Sequence, residues 1–158
     1  MDGAGAAAGA TIAPLTHEVA YADTDAGGIV YHARYIEMAE RSRNAVLRAL
    51  DLPVASMRAR FGVLFIIREA RALYHQPALV GDLLTLASGI VSTSPVRVTW
   101  RTRITRGGRP ICDVEAQIAA YDPAQDGPCL LPEALMRRLA EAPRLAPAPR
   151  PAAMRPSR

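Results

Sequence analysis

The sequence predicts an α+β domain in which one long helix is wrapped by an antiparallel sheet. Three observations carry this expectation. A short alternating segment precedes residue 22, an unbroken helical period runs from about residue 33 to 50, and four more alternating segments follow between residues 62 and 121. A chain of 158 residues, half of them hydrophobic, is the size of one domain with one proper core. Aromatic residues make up only 5%, so that core falls to Leu, Ile, Val and Ala.

Residues 15–22 alternate as a strand, with Leu15, His17, Val19 and Tyr21 on one face. Gly27 and Gly28 break the pattern. The helix that follows carries a stripe of Tyr35, Ala39, Ser42, Val46 and Ala49, joined by Ile36, Leu47 and Leu50. Its opposite face holds Arg34, Glu37, Arg41, Asn44 and Arg48. Ala39 and Ser42 are small enough to let the helix lie close against a sheet. Asp51 and Pro53 end it, and a second short helix is expected over 53–60. Strands are expected near 62–74, 83–92, 95–106 and 110–121, with a loop over Gln76–Asp82 and a last short helix over 132–141.

Two of these strands constrain each other. Val96, Val98, Trp100, Thr102 and Ile104 share one face, and Cys112, Val114, Ala116, Ile118 and Ala120 share another. Both sets carry even numbers, so opposed residues must have numbers with an even sum. A plain two-residue turn at Gly107-Gly108 would give an odd sum and point Trp100 at Glu115. A three-residue or bulged turn over 107–109 is therefore predicted, with glycine supplying the positive φ and with Arg103 opposite Asp113 and Arg101 opposite Glu115.

Charge narrows the function classes. All 19 basic residues are arginine, and Arg144, Arg150, Arg155 and Arg158 lie in an acid-free terminal stretch. The remaining 15 balance the 15 acids, so the net charge of +4 belongs to the tail rather than to a cationic face of the domain. Nucleic-acid binding, which needs a concentrated basic stripe, is not expected. No apolar run reaches the roughly 20 residues of a bilayer span, and residues 1–10 lack the charged and apolar regions of a secretory signal. Cys112 and Cys129 form no CxxC pair, and His17, His32 and His75 have no ligand-like spacing, so neither disulfide nor metal is expected. Cytoplasmic residence is the expectation. Residues 1–13 read as a disordered lead-in, 14–142 as the domain, and 143–158, with five prolines and four arginines, as a disordered tail.

The ionisable groups concentrate in Tyr21-Ala22-Asp23-Thr24-Asp25-Ala26-Gly27-Gly28-Ile29-Val30-Tyr31-His32, between the first strand and the long helix. A helix starting near His32 has first-turn N–H groups without intrahelical partners, and the macrodipole adds positive potential there. Such an end can hold a carbonyl oxygen or the oxyanion formed from it. Asp25, in the glycine-containing turn just before, could meet that carbonyl with a carboxylate, which together form a minimal kit for hydrolysing an activated acyl group. His32 and Tyr21 are further polar groups for orienting substrate or water. Gly28, Val30 and Tyr31, in the same run, are candidate substrate-binding positions. Each residue also has a purely structural reading: Asp23 and Asp25 as turn formers, His32 as a satisfied helix contact, Tyr21 as core.

The run YADTDAGGIVYHARYIEMAERSR resembles the signature of the YbgC-like and 4-hydroxybenzoyl-CoA thioesterases of the hotdog fold, approximately Y-x-D-T-D-A-x-G-x-V-Y-H-x-x-Y. The likeness continues through REARALYHQPALVGDLLTL and into the later strands, over about residues 14–140. It implies an acyl-CoA thioesterase in which Asp25 is the catalytic carboxylate, Tyr21 and His32 assist, and the backbone N–H near His32 polarises the thioester carbonyl. It implies a homodimer or homotetramer with each site at a subunit interface. No metal or bound cofactor is implied, coenzyme A being part of the substrate. An acyl-carrier protein is a further possible partner; Arg97, Arg101 and Arg103 could meet its acidic surface or the phosphates of coenzyme A, and their plainer reading is the solvated face of a sheet. The alternatives are a non-catalytic acyl-carrier or envelope-complex binding module that kept the fold, and a hotdog hydratase. The hydratase pattern, with Asp and His five residues apart around Asn-Pro, is missing here, since Asp25 and His32 are seven apart.

Overall fold

The computed structural model describes residues 11–150. Five antiparallel strands, β1 (Leu15–Glu18), β2 (Leu64–Tyr74), β3 (Leu83–Ser94), β4 (Arg97–Arg106) and β5 (Arg109–Asp122), form a sheet in the order β1-β3-β4-β5-β2. A two-residue sixth piece, β6 (Gly127–Pro128), pairs with β5 and extends the expected five strands. The long helix α1 (His32–Ala49) packs across β3, β4 and β5. Among the described residues there are two further, short α-helices, α2 (Met57–Phe61) and α3 (Glu133–Leu139). This is the hotdog arrangement, a curled sheet around one helix.

α1 buries Tyr35, Met38, Ala39, Ser42, Arg43, Val46 and Leu47. The expected stripe is right at its centre and wrong at its margins. Ile36 is 38% exposed because it stands a quarter-turn off the line through Tyr35, Ala39 and Ser42, and Ala49 is exposed in the last turn. Asp51 adopts a left-handed conformation (φ 54°) just past the helix and stops it.

The core has two lobes. Val46, Leu47 and Leu50 pack with Ile90, Trp100, Leu135 and Leu139 around one half of α1. Val30, Tyr35 and Met38 pack with Leu84, Leu86, Ile104 and Ile111 around the other. Between the lobes runs a buried seam of hydroxyls. Ser88 Oγ donates to Ser42 Oγ (2.9 Å) and pairs with Thr102 Oγ1 (2.5 Å), while Ser42 Oγ also reaches Leu86 O (3.2 Å) and Thr102 Oγ1 reaches Ala39 O (3.4 Å). The small residues of α1 admit this close approach.

The β4–β5 register is the predicted one, Arg101 opposite Glu115 and Arg103 opposite Asp113. The turn itself is two residues, Gly107 (φ 55°) and Gly108 (φ 81°), and the parity is corrected by a bulge at Ile111 rather than by a third turn residue.

Three further expectations need correction. The first strand ends at Glu18 instead of 22, because the Asp23 carboxylate captures Ala20 N–H (3.0 Å) and His17 Nε2 (2.8 Å) and turns the chain into a single 3-10 turn over Tyr21–Asp23. Arg101 is not a solvated surface arginine: it is 9% exposed and bound to Asp113 Oδ1 through Nε (2.9 Å) and Nη2 (2.6 Å). The tail is not loose from residue 143. Pro143 O accepts from Ile90 N (2.8 Å), Leu145 N donates to Ile90 O (3.1 Å), and Arg101 Nη1 donates to Ala146 O (2.8 Å) and Pro147 O (3.1 Å). Main-chain carbonyls, which composition does not reveal, supply the docking. The seat is fitted: a Cβ on Gly89 would stand 2.6 Å from Pro143 O. The remainder of the expected tail, 151–158, and residues 1–10 of the expected lead-in lie outside the described residues.

Candidate active site

The segment between β1 and α1 is a small hairpin. Thr24 bridges Val30, Asp25 N donates to Ile29 O (3.0 Å), and Gly28 N donates to Asp25 O (3.0 Å), with Gly28 in the positive-φ position (75°) that closes the turn. The returning arm pairs with the loop after β2, where Ile29 bridges Leu79 and Val30 N donates to Ala78 O (2.9 Å).

Its two acids have different environments. Asp23 is buried and accepts from Ala20 N, His17 Nε2, and Arg34 Nε (3.1 Å) and Nη2 (2.7 Å). Burial by itself would raise its pKa, but the hydrogen bonds from Ala20, Arg34 and His17 outweigh this and hold it at about 2. Asp23 is therefore committed to structure. Asp25 is exposed; its Oδ1 accepts from Gly27 N (2.8 Å), and among the described residues its Oδ2 has no hydrogen-bond partner.

α1 begins without a side-chain cap. Tyr31 is the N-cap residue, its own N–H given to Asp23 O (2.8 Å), and Arg34 N turns back to Tyr31 O (2.9 Å). The N–H groups of His32 and Ala33 have no hydrogen-bond acceptor among the described residues. Two donors and the positive end of an 18-residue helix are thus free to bind a carbonyl oxygen.

Beside this helix end lies an open cleft of about 370 Å³, lined by Val30, His32, Tyr35, Tyr74, His75 and Gln76 among others. Tyr74 OH donates to His32 O (3.1 Å), and Tyr35 OH accepts from Ala78 N (3.3 Å). Desolvation raises the pKa of both phenols and keeps them protonated. The cleft thus includes two of the residues expected from the sequence, Val30 and His32. Asp25, Gly28 and Tyr31 stand on the adjoining hairpin and helix cap without lining it, and Tyr21 is 83% exposed on the preceding turn. Tyr31 lies against the His32 ring, with centroids 4.4 Å apart.

Sequence reasoning missed the far wall, Tyr74, His75 and Gln76. The signal available was the break at the end of β2, where a strand stops before Pro77 with three polar side chains in a row. Cys112 is buried and its thiol is pushed up to about 12, by burial first and then by the Asp113 charge, so it offers no thiolate. Among the described residues no cluster of three or more His, Cys, Asp or Glu is placed to hold a metal ion, and no helix is long and apolar enough to cross a membrane.

The profile of the thioesterase-like superfamily matches residues 19–139, which includes the hairpin, α1 and the cleft. The chain belongs to this superfamily. Together with the thioester hydrolases it resembles, this makes it a thioester hydrolase. It is 31% identical to the acyl-CoA thioester hydrolase YbgC of Escherichia coli O6:H1 over 75% of this chain and 88% of that one. It is 28% identical to the acyl-CoA thioesterase YbgC of Haemophilus influenzae over 73% and 85%. Among solved structures, a probable thioesterase from Bartonella henselae superposes with a TM-score of 0.70 at 28% identity, covering 75% of this chain and 98% of that one. A 1,4-dihydroxy-2-naphthoyl-CoA thioesterase from Synechocystis shares the fold, with a TM-score of 0.74 at 18% identity, covering 82% and 96%.

Proposed function

We propose that this protein hydrolyses acyl-CoA thioesters to the free acid and coenzyme A, with Asp25 as the catalytic carboxylate. The observation that carries this reading is the pair of unused N–H groups at His32 and Ala33 opening beside the cleft, with an unpaired carboxylate oxygen on the hairpin before them. A thioester carbonyl accepting those N–H groups is polarised by the helix end, and negative charge developing on its oxygen is stabilised there. The Asp25 carboxylate either adds to the carbonyl carbon, giving an anhydride that water then cleaves, or takes a proton from a water that adds there. In both cases the C–S bond breaks, coenzyme A leaves as the thiolate and takes up a proton, and one water is consumed. His32 and Tyr21 assist as orienting polar groups, and Gly28, Val30 and Tyr31 shape the substrate side of the turn. The reaction as written needs no metal or bound cofactor.

The working unit is a homodimer or a larger homo-oligomer. β2 is a sheet edge of eleven residues, bonded on one side only, and Leu64, Ile66 and Ile67 on it are 37%, 37% and 45% exposed. A long, open edge with exposed Leu and Ile side chains is what a second copy would cover by continuing the sheet. The similarity to the YbgC thioester hydrolases supports acyl-CoA as the substrate class.

The test is release of free thiol from acyl-CoA esters of rising chain length, with the unaltered protein and with Asp25→Asn. Turnover that falls steeply in the variant while substrate affinity is kept supports the reading. Equal turnover in the two proteins sinks the role given to Asp25, and no release from any ester sinks the substrate class.

A further inference from the structure

His75 follows the last residue of β2 and lines the same cleft as His32, yet neither the hairpin motif nor the reaction above uses it. Its backbone is hooked to the bulge of β5, since both His75 N (2.8 Å) and Gln76 N (3.3 Å) donate to Ile111 O. Its ring is held as well. His75 Nε2 lies 2.9 Å from Asp113 Oδ2, and Asp113 is only 2% exposed. The other oxygen, Asp113 Oδ1, takes two N–H groups of Arg101, and the remaining reach of that guanidinium goes to the carbonyls of Ala146 and Pro147. A carboxylate paired to a guanidinium is an acceptor only, so Nε2 of His75 must be the donor. The neutral imidazole then carries its proton on Nε2 and leaves Nδ1 as a lone-pair acceptor. Beside two phenols already engaged with backbone, and the polar side chains of His32 and Gln76, the cleft therefore holds an acceptor whose ring is fixed by a buried carboxylate.

We propose that His75 is a substrate-contacting residue which accepts, through Nδ1, a hydrogen bond from the amide N–H two carbons from the thioester sulfur, and that Asp113 and Arg101 are positioning residues for it. The proposal rests on the acyl-CoA reading. Every coenzyme A thioester carries that amide, and a carbonyl placed on the His32 and Ala33 N–H groups puts it a few bonds away in the same cleft. An acceptor that loses its partner when the N–H is replaced discriminates against a substrate without it. The role is thus to seize the thiol arm, whatever acyl group it bears.

The experiment compares two small thioesters of one acyl group: the acetamidoethyl thioester, and its oxopentyl counterpart in which a methylene replaces the amide N–H. The unaltered protein is expected to favour the amide in kcat/KM by about three- to tenfold, the worth of one net hydrogen bond. His75→Leu should abolish the preference by lowering turnover of the amide compound alone. Asp113→Asn, which can hold the ring in either tautomer, should weaken the preference and leave the methylene compound unaffected. His75 has a 25%-exposed side chain, so its variant folds even if the Asp113 variant does not. Equal use of both compounds by the unaltered protein, a preference that survives His75→Leu, or an equal loss with both compounds overturns the proposal. An undiminished preference in folded Asp113→Asn overturns the positioning role. Should the unaltered protein cleave neither compound nor any acyl-CoA, the functional reading itself fails; calorimetric titration of the same pair then decides, and equal affinity or none overturns the assignment of His75.

Discussion

Asp23 and Arg34, eleven residues apart, are joined by two hydrogen bonds to one oxygen, Oδ1 accepting from Nη2 at 2.7 Å and from Nε at 3.1 Å. The pair ties the start of the hairpin to the first turn of α1. With Tyr31 N bound to Asp23 O, it sets where the free N–H groups of the helix lie relative to the turn that carries Asp25.

That clasp makes stability acid-sensitive. The Asp23 carboxyl titrates at about 2 in the folded chain against an ordinary 3.8, so the folded state binds fewer protons as the pH drops. Its contribution, on the order of 2 kcal/mol, is complete above about pH 4 and is lost as the pH falls towards 2. Urea midpoints measured from about pH 5 down to pH 2.5 should decline, and Asp23→Asn should flatten that part of the decline. A variant with an unchanged slope would show that Asp23 is not its source.

The two acids of the hairpin should separate cleanly. Asp23→Asn breaks a buried ionic network and is expected to lower stability by about 3 kcal/mol. Asp25→Asn removes only an exposed carboxylate with one hydrogen bond to Gly27, so its melting temperature should stay near that of the parent while turnover drops by about a hundredfold or more. Thermal melts and thiol release on both variants check this, and the opposite assignment of effects would reverse the roles.

Gly89→Ala tests the docked segment. Its new methyl group would meet Pro143 O at 2.6 Å and Leu145 Cγ at 2.9 Å, both belonging to the segment rather than to the sheet. A loss of about 1–3 kcal/mol is expected, together with faster proteolytic cutting between residues 143 and 148. A variant as resistant as the parent would mean that the segment shifts without leaving its seat.

Self-association should run through β2. Ile66→Lys places a charge on the open edge strand, and light scattering coupled to gel filtration should then report a smaller species than for the unaltered protein. Loss of thiol release in parallel would tie the site to the assembly. An unchanged mass would move the interface elsewhere.

What the sequence disclosed follows from what repeats in it. The alternating strands and the parity of the two even-numbered faces announced the β4–β5 register, because side-chain direction in a strand has a strict period of two, but not that the extra residue sits at Ile111 rather than in the turn. The hairpin stood out because ionisable residues and glycines crowd into a few positions. The far wall of the cleft did not, since Tyr74 and His75 reach it only through the pairing of β2 with β5, a relationship between residues nearly forty apart. Arg101 was misread for a related reason: alternation places it on the outer face, and nothing local reveals that the chain from Pro143 onward returns to cover it. The early end of β1 was hidden because one carboxylate, Asp23, competes with the ladder for its backbone.

The Ser42–Ser88–Thr102 seam has a bearing on how the N-terminal end of α1 behaves. Oil-like contacts alone would let a rod slide or roll on its cradle with little penalty. Three interlocked hydroxyls act as a detent, since a slip of even one position strands each of them in hydrocarbon. The tip of α1 is therefore kept at one height by an anchorage in the middle of the rod, well away from the cleft itself.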